Sequence, residues 1–525
     1  MEARPLLLLG GAAAIGAAAV QPAFPGRFLM LAAFAVWLAW PVRRDESKRL
    51  RALAALALVA GCLSASWRAS TGDPPVREHT LRVACTVLDA RTCAVDGSIT
   101  IAVEQQANLP QAGAHVLLRG RLQPFDGPRN PGEADQREIE RERGVQARMG
   151  NARLLAVLPP APLTLTTAIA RAHGWALSQL QLRLPQPYAA IVAGELWGER
   201  ATLAPELRAE FQETGTVHVL VTAGLHLGVV ALAVLTLLRL CTVPRVPACA
   251  TTIAVVWMYA VFSGLHLPSV RAAVMASFAL SAYAAGAASR SWNAYGAALG
   301  AVALFWPLSL AGASFALSFS CVAAILLCAD EVQHALQGFA MPQKIREAIS
   351  LAVSTQLGTW PLTASVFLLV APYALLANLL VVPVVGATML LAGGQLASAP
   401  LAPVSQAFAN VNSWLLAWIV ACVHTISTLP GATIALTPPP PWTIAVYDAA
   451  LVCAMWCWKR EARTLALALL FIGATLVAAP PRAVDHHLRI TVLDVGQADG
   501  IVIQTPIGHT IVVDAGGRLE RGTDA

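Results

Sequence analysis

The chain has 525 residues, 57% of them hydrophobic and only 13% charged, with a mean hydropathy of +0.61. A soluble domain carries about a quarter charged residues, so a purely soluble protein is excluded and a polytopic membrane protein is expected. The formal net charge of +6 does not argue for a nucleic-acid partner, because cytoplasmic membrane loops collect Lys and Arg anyway.

In chain order, apolar runs at about 5–21, 27–41 and 52–67 suit membrane spans, though some fall short of the ~20 residues a span usually needs. The basic cluster Arg43, Arg44, Lys48, Arg49 and Arg51 marks the loop between the second and third as cytoplasmic. Residues 73–158 follow as a polar unit. "LRVACTVLDA", "GSITIAVEQ" and "HVLLRGRLQP" alternate apolar and polar residues between turn signals, which predicts a small β domain such as a five-stranded barrel. Cys85 and Cys93 lie eight apart across a turn in this unit, and an outer location predicts a disulfide between them. The other cysteines read mostly as small buried hydrophobes, and no Cys/His spacing proposes a metal.

Residues 160–214 are expected to form interfacial amphipathic helices. Ile169, Ala172, Ala176, Leu180 and Leu184 make one apolar face, anchored by Arg171 and Arg183. From 215 to 480 the chain is membrane again, with spans near 217–240, 249–262, 270–287, 294–310, 311–329, 347–370, 374–396, 406–426, 443–458 and 463–479. With the first three this makes about thirteen. Arg239 and Arg245, Arg290, Lys344 and Arg346, and Lys459 to Arg463 all fall inside in one orientation, which places both polar domains outside.

Within the spans, polar residues stand out. On a continuous helix over 217–240, His218, Thr222 and His226 would form a polar ladder beside Gly224. Such groups face either neighbouring helices or a water-filled path. Arg271 opens a span as a phosphate contact or a snorkelling anchor. Gln356 and Asn378 sit mid-span beside Gly358, Pro361 and Pro383, which suggests broken helices around a cavity.

Four stretches together resemble the ComEC family of competence proteins. They are "LRGRLQPFDGPRNPGEAD" (118–135), "GELWGERATLAPELRAEFQETGTVHVLVTAGLHLG" (194–228), "SFALSFS" (314–320) with "QLGTWPL" and "NLLVVP" (356–383), and "VLDVGQADG" with "VVDAGG" (492–517). The resemblance implies an inner-membrane channel for single-stranded DNA in natural transformation. It implies an OB-like outer domain and the start of an α/β metallo-β-lactamase-like domain at 488–525. Asp494, Asp499 and Asp514 match that domain's first acidic positions. Its His-x-His-x-Asp-His motif does not occur in the chain, so the sequence reads as ending within the domain, with no nuclease activity and no metal bound here. A divalent metal is expected only in a complete domain. Where the family usually carries Ser before Gly-Leu-His, this chain has Ala223. Implied partners are single-stranded DNA, membrane lipid, the receptor and motor proteins of uptake, and a second copy of the chain. The alternatives are a membrane-anchored metal-dependent hydrolase and a transporter of another solute.

Overall fold

The computed structural model describes residues 11–14, 54–65, 79–89, 91–95, 99–103, 109–130, 133, 135–142, 145–199, 203–220, 224–286, 291–480, 487–495, 500–506 and 509–515. The spans expected at 5–21 and 27–41 therefore lie almost wholly outside the described residues. Fifteen helices of seven or more residues run through the described chain: α1 (Ala54–Ala65), α2 (Gln136–Glu142), α3 (Leu165–Gln181), α4 (Tyr188–Trp197), α5 (Pro205–Glu213), α6 (Gly224–Leu240), α7 (Arg245–Phe262), α8 (Leu267–Ala284), α9 (Ser291–Phe305), α10 (Ala313–Ala335), α11 (Gln343–Phe367), α12 (Ala374–Ala397), α13 (Ala402–Ser427), α14 (Pro441–Lys459) and α15 (Arg463–Ala478). Among the described residues, five helical segments are long and apolar enough to cross a membrane: Arg245–Phe262, Leu267–Ala284, Ala313–Gly338, Ala374–Ala397 and Ala402–Ser427. The molecule is thus a multi-pass α-helical membrane protein.

Between α1 and α3 lies a closed five-stranded barrel. Its strands are β1 (His79–Val87), β2 (Thr92–Val95), β3 (Ile99–Val103), β4 (His115–Gln123) and β5 (Ala147–Leu158), in the order β1-β2-β3-β5-β4. Alternation builds it: Cys85, Val87, Ile101, Val103, Val116, Leu118, Ala147 and Met149 all point inward and are buried. β1 pairs with β4 over eight residue pairs, and the parallel β3–β5 pair completes the closure, so no long edge is left open. Cys85 and Cys93 meet inside this barrel as thiols, without the expected disulfide. Cys93 stands opposite Val87 and so lies diagonal to Cys85. The two sulfurs share a hydrogen bond, which holds the Cys85 thiol below its ordinary value and, with burial, pushes the Cys93 thiol up.

The helix α3 corrects the expected apolar face. Its buried line runs Thr167, Ala170, Gly174, Ala176 and Leu180, while Ile169 and Ala172 are half-buried. The cause is the barrel loop before β4. Ala112 approaches Gly174 so closely that an added Cβ would meet its carbonyl oxygen at 2.2 Å, and Gly113 sits against Arg171. A glycine contact leaves no mark in an apolar pattern. α4 departs further from an interfacial amphipathic helix: nine of its ten residues are buried. Apart from Glu195 it is apolar around most of its circumference, and such a helix belongs inside a bundle. Residues of α3, α4, α5, α12 and α13 enclose one continuous core around it.

Contrary to the expectation of broken helices, Pro361 and Pro383 lie inside continuous α11 and α12. Packed neighbours accommodate proline in membrane helices. The break occurs elsewhere. Residues 217–220 form a single 3-10 turn and α6 begins only at Gly224, so a continuous helix over 217–240 is not formed.

α10 and α11 make one of the closest helix pairs. A Cβ at Gly358 would lie 2.3 Å from the Ala324 Cβ and 3.0 Å from the Ser320 carbonyl oxygen. Gly358→Ala is therefore expected to destabilise the helix pair by about 1–3 kcal/mol through overpacking. Thermal unfolding in detergent checks it, and Ala324→Gly in the same chain restores most of the loss.

The last described segment is an antiparallel sheet in the order β10-β9-β8, built from β8 (Arg489–Val492), β9 (Gly500–Gln504) and β10 (Thr510–Ala515).

Candidate functional site

The segment Thr214–Leu220 is wedged into the centre of the membrane helices. Thr214 and Thr216 are buried and share a hydroxyl–hydroxyl hydrogen bond of 2.8 Å. Gly215 adopts φ +70°, and an added Cβ would meet Ala374 of α12 at 2.8 Å. Only glycine fits both the left-handed backbone and the contact. The 3-10 turn that follows presses Leu220 against Gly194 of α4. The chain thus departs from the α-helix within the core, which membrane depth tolerates only when protein or a cavity shields it.

This break decides where the expected ladder goes. His218 sits on the 3-10 turn with an exposed side chain, although the ring is set among many protein atoms. His226 sits one element later, in the first turn of α6, fully buried. The two imidazoles are close enough to interact electrostatically, and the backbone of Val219 contacts the His226 ring. Thr222 lies outside the described residues. Gly224 starts α6 against Ala272 of α8, with 3.8 Å between its would-be Cβ and the alanine methyl. That contact packs the start of α6 against the stretch of α8 that carries Arg271.

Arg271 is not a snorkelling residue. Only 2% exposed, it directs Nη2 to the Ser314 carbonyl (3.0 Å), the Ser314 hydroxyl (3.0 Å) and the Ser318 hydroxyl (2.9 Å). The "SFALSFS" stretch on α10 is therefore its receptor. Asn378 lies one helical turn beyond Ala374, on the helix that receives Gly215; its Oδ1 is buried without a hydrogen-bond partner among the described residues. Gln356 stands apart, half-buried on α11. The structure thus gathers His218, Gly224, His226 and Arg271 around the ends of α6 and α8, places Asn378 on the adjoining helix, and leaves Gln356 elsewhere.

Sequence reasoning missed Glu195. It is fully buried on α4 and accepts a 2.9 Å hydrogen bond from Thr388 of α12. Next to it the Tyr259 hydroxyl of α7 donates to the Leu196 carbonyl at 2.7 Å. One acid inside the otherwise apolar run "YAAIVAGELW" was the available signal. His173 was also missed. It stacks on Trp197 at 5.2 Å and meets the Phe262 carbonyl at 2.6 Å, tying α3 to the ends of α4 and α7.

In the last sheet, Asp494 follows β8 and Asp514 lies in β10 with φ +52° beside a register shift. Leu493 N–H bonds the Gly500 carbonyl and Ala515 pairs with Gly500, so both aspartates stand at one end of the sheet. Asp499 lies outside the described residues. Among the described residues no three His, Cys, Asp or Glu side chains gather as a metal group.

A family model described as "Competence protein" matches residues 196–461, just over half of the chain. The chain belongs to the ComEC family of competence proteins. The ComEC-family match starts inside α4, next to Glu195, and takes in the histidines, Arg271, Gln356 and Asn378. Among its relatives, Competence protein ComA of Neisseria gonorrhoeae is 29% identical over 334 residues, covering 60% of this chain and 44% of that protein. ComE operon protein 3 of Bacillus subtilis (strain 168) is 22% identical over 349 residues, covering 65% and 44%. Uncharacterized protein YcaI of Escherichia coli (strain K12) is 27% identical over 222 residues, covering 40% and 29%. The chain spans less than half the length of these relatives. No solved structure matches it.

Proposed function

We propose that this ComEC-family chain is an inner-membrane passage for single-stranded DNA in natural transformation. The observation that carries the reading is the 3-10 turn Val217–Leu220, which stands where a continuous membrane helix was expected. It leaves His218 exposed within electrostatic reach of buried His226, which would give a polyanion polar contacts at membrane depth. His218 would contact the strand directly. His226, Arg271 and the two serines of α10 would fix the walls.

The barrel supports an outer OB-like role. Its β1-β2-β3-β5-β4 order and closure suit the five-stranded fold that binds single strands on one face, and its near-neutral charge suits a vestibule that does not trap DNA. The sheet over 489–515 is read as the start of a metallo-β-lactamase-like domain. On the outer side the Cys85–Cys93 pair would oxidise to a disulfide, since both thiols already touch. DNA receptor and motor proteins, and a second copy of the chain, complete the proposed machinery.

Uptake of labelled duplex DNA in the source organism tests the reading. Deletion of the gene is expected to leave DNA bound outside and to remove the internal labelled strand, and the intact gene restores it. Unchanged internal label in the deletion strain would refute the passage.

A further inference from the structure

The barrel and the last sheet touch through a contact built from both sides. On the barrel, one Glu133 carboxylate oxygen accepts the backbone N–H groups of Arg129 (2.9 Å) and Asn130 (3.0 Å). Asp126 receives Arg129 (2.9 Å) and Arg148 of β5 (2.7 Å). These bonds set the shape of the segment before it meets anything else. Asn130 then spends both ends of its amide on one residue 364 positions away. Its Nδ2 donates to the Asp494 carbonyl at 3.0 Å, and its Oδ1 accepts the Asp494 N–H at 2.7 Å. The β8–β9 pairing gives out at the Leu493 bond to Gly500, so the Asn130 side chain takes over where a neighbouring strand would continue. Arg129 adds an ion pair to Asp494 at 3.2 Å.

We propose that residues 126–130, braced by Glu133, are a docking clamp by which the barrel holds the β8–β10 sheet at Asp494. Asn130 is the positioning residue for Asp494. The clamp keeps the sheet end that carries Asp494 and Asp514 at the barrel, where a strand leaving the barrel meets it. This role in strand transfer rests on the passage reading above; the clamp itself does not. Asn130 outranks Arg129 in the clamp for a physical reason. The ion pair is half exposed on both sides, at 53% and 47%, and such pairs are weakened by water and salt. The amide bonds satisfy backbone groups that the sheet leaves over.

Hydrogen–deuterium exchange on the whole chain in lipid nanodiscs tests the clamp, read on a peptide covering 490–495. Asn130→Ala is expected to speed exchange there by about tenfold, the factor for one lost contact of ordinary net strength. Arg129→Ala is expected to speed it by less than about threefold, as for an exposed ion pair. Asn130→Asp, which keeps the size but loses the donor, moves in the same direction as Asn130→Ala, and Asp494→Asn, which keeps the backbone, leaves protection near wild type. Unchanged protection of the β1 and β4 peptides shows that the barrel is folded in each variant. Wild-type exchange at 490–495 in both Asn130 variants would overturn the clamp and leave the passage reading standing. Faster exchange with undiminished transformation would overturn its part in strand transfer.

Discussion

Arg271→Ala is expected to lower transformation frequency by about a hundredfold or more, with the protein still inserted in the membrane. The guanidinium is buried between α8 and α10, and one of its nitrogens holds three acceptors on Ser314 and Ser318. Hydrogen bonds to a charged group each contribute roughly 1.5–3 kcal/mol, whereas placing Arg in a membrane helix costs about 2.5–3.5 kcal/mol on insertion scales. The bonds therefore win, and the side chain stays where it is. Its removal leaves a cavity and takes the Arg271 donor from Ser314 and Ser318, so α8 loses these bonds to α10. Arg271→Lys separates the roles. It keeps the positive charge, but an ammonium is a compact point charge and cannot reproduce the planar fork. We expect Arg271→Lys to recover a minor part of the uptake. Transformation assays with immunoblots of the membrane fraction measure both variants.

Glu195→Ala carries the second large effect, on stability. Glu195 has no exposed surface, and it joins α4 to Thr388 of α12 within the main core. Truncation to alanine leaves a void in that core, with an expected cost of about 2–4 kcal/mol. Thr388 also donates to the Val385 carbonyl, so its hydroxyl is not stranded and the loss stays in this range. Glu195→Gln keeps the shape and still accepts from Thr388, and is expected to unfold within a few degrees of wild type. Thermal unfolding of the two variants in the same detergent checks the pair. A carboxamide as damaging as alanine would show that the acid group itself, and not its volume, holds the core.

Much of this organisation was legible in the amino-acid order because it rests on period and composition. The alternation of "LRVACTV" and "HVLLRGR" becomes the barrel, with Cys85, Val116 and Leu118 inside. Long apolar runs become the helices that can cross a membrane, such as Ala374–Ala397. What was not legible depends on contacts between distant segments. The polar ladder assumed that one helix carries His218 and His226, yet Gly215 at positive φ against Ala374 diverts the chain into a 3-10 turn. The serines of "SFALSFS" look like ordinary small residues until α10 lies against Arg271. Asn130 looks like a turn residue until Asp494 is brought to it. Pro361 and Pro383 mislead in the other direction, because neighbouring helices accommodate them within unbroken spans.

The central claim is that the broken segment opens a wet path for a polyanion. Single cysteines placed at 218 and 226 of an otherwise cysteine-free chain, treated with a membrane-impermeant thiol reagent in intact cells, test it most directly. The account predicts rapid labelling at 218, protection of that position by added single-stranded DNA, and little labelling at 226. A position 218 that never reacts, or reacts equally with and without DNA, would contradict it.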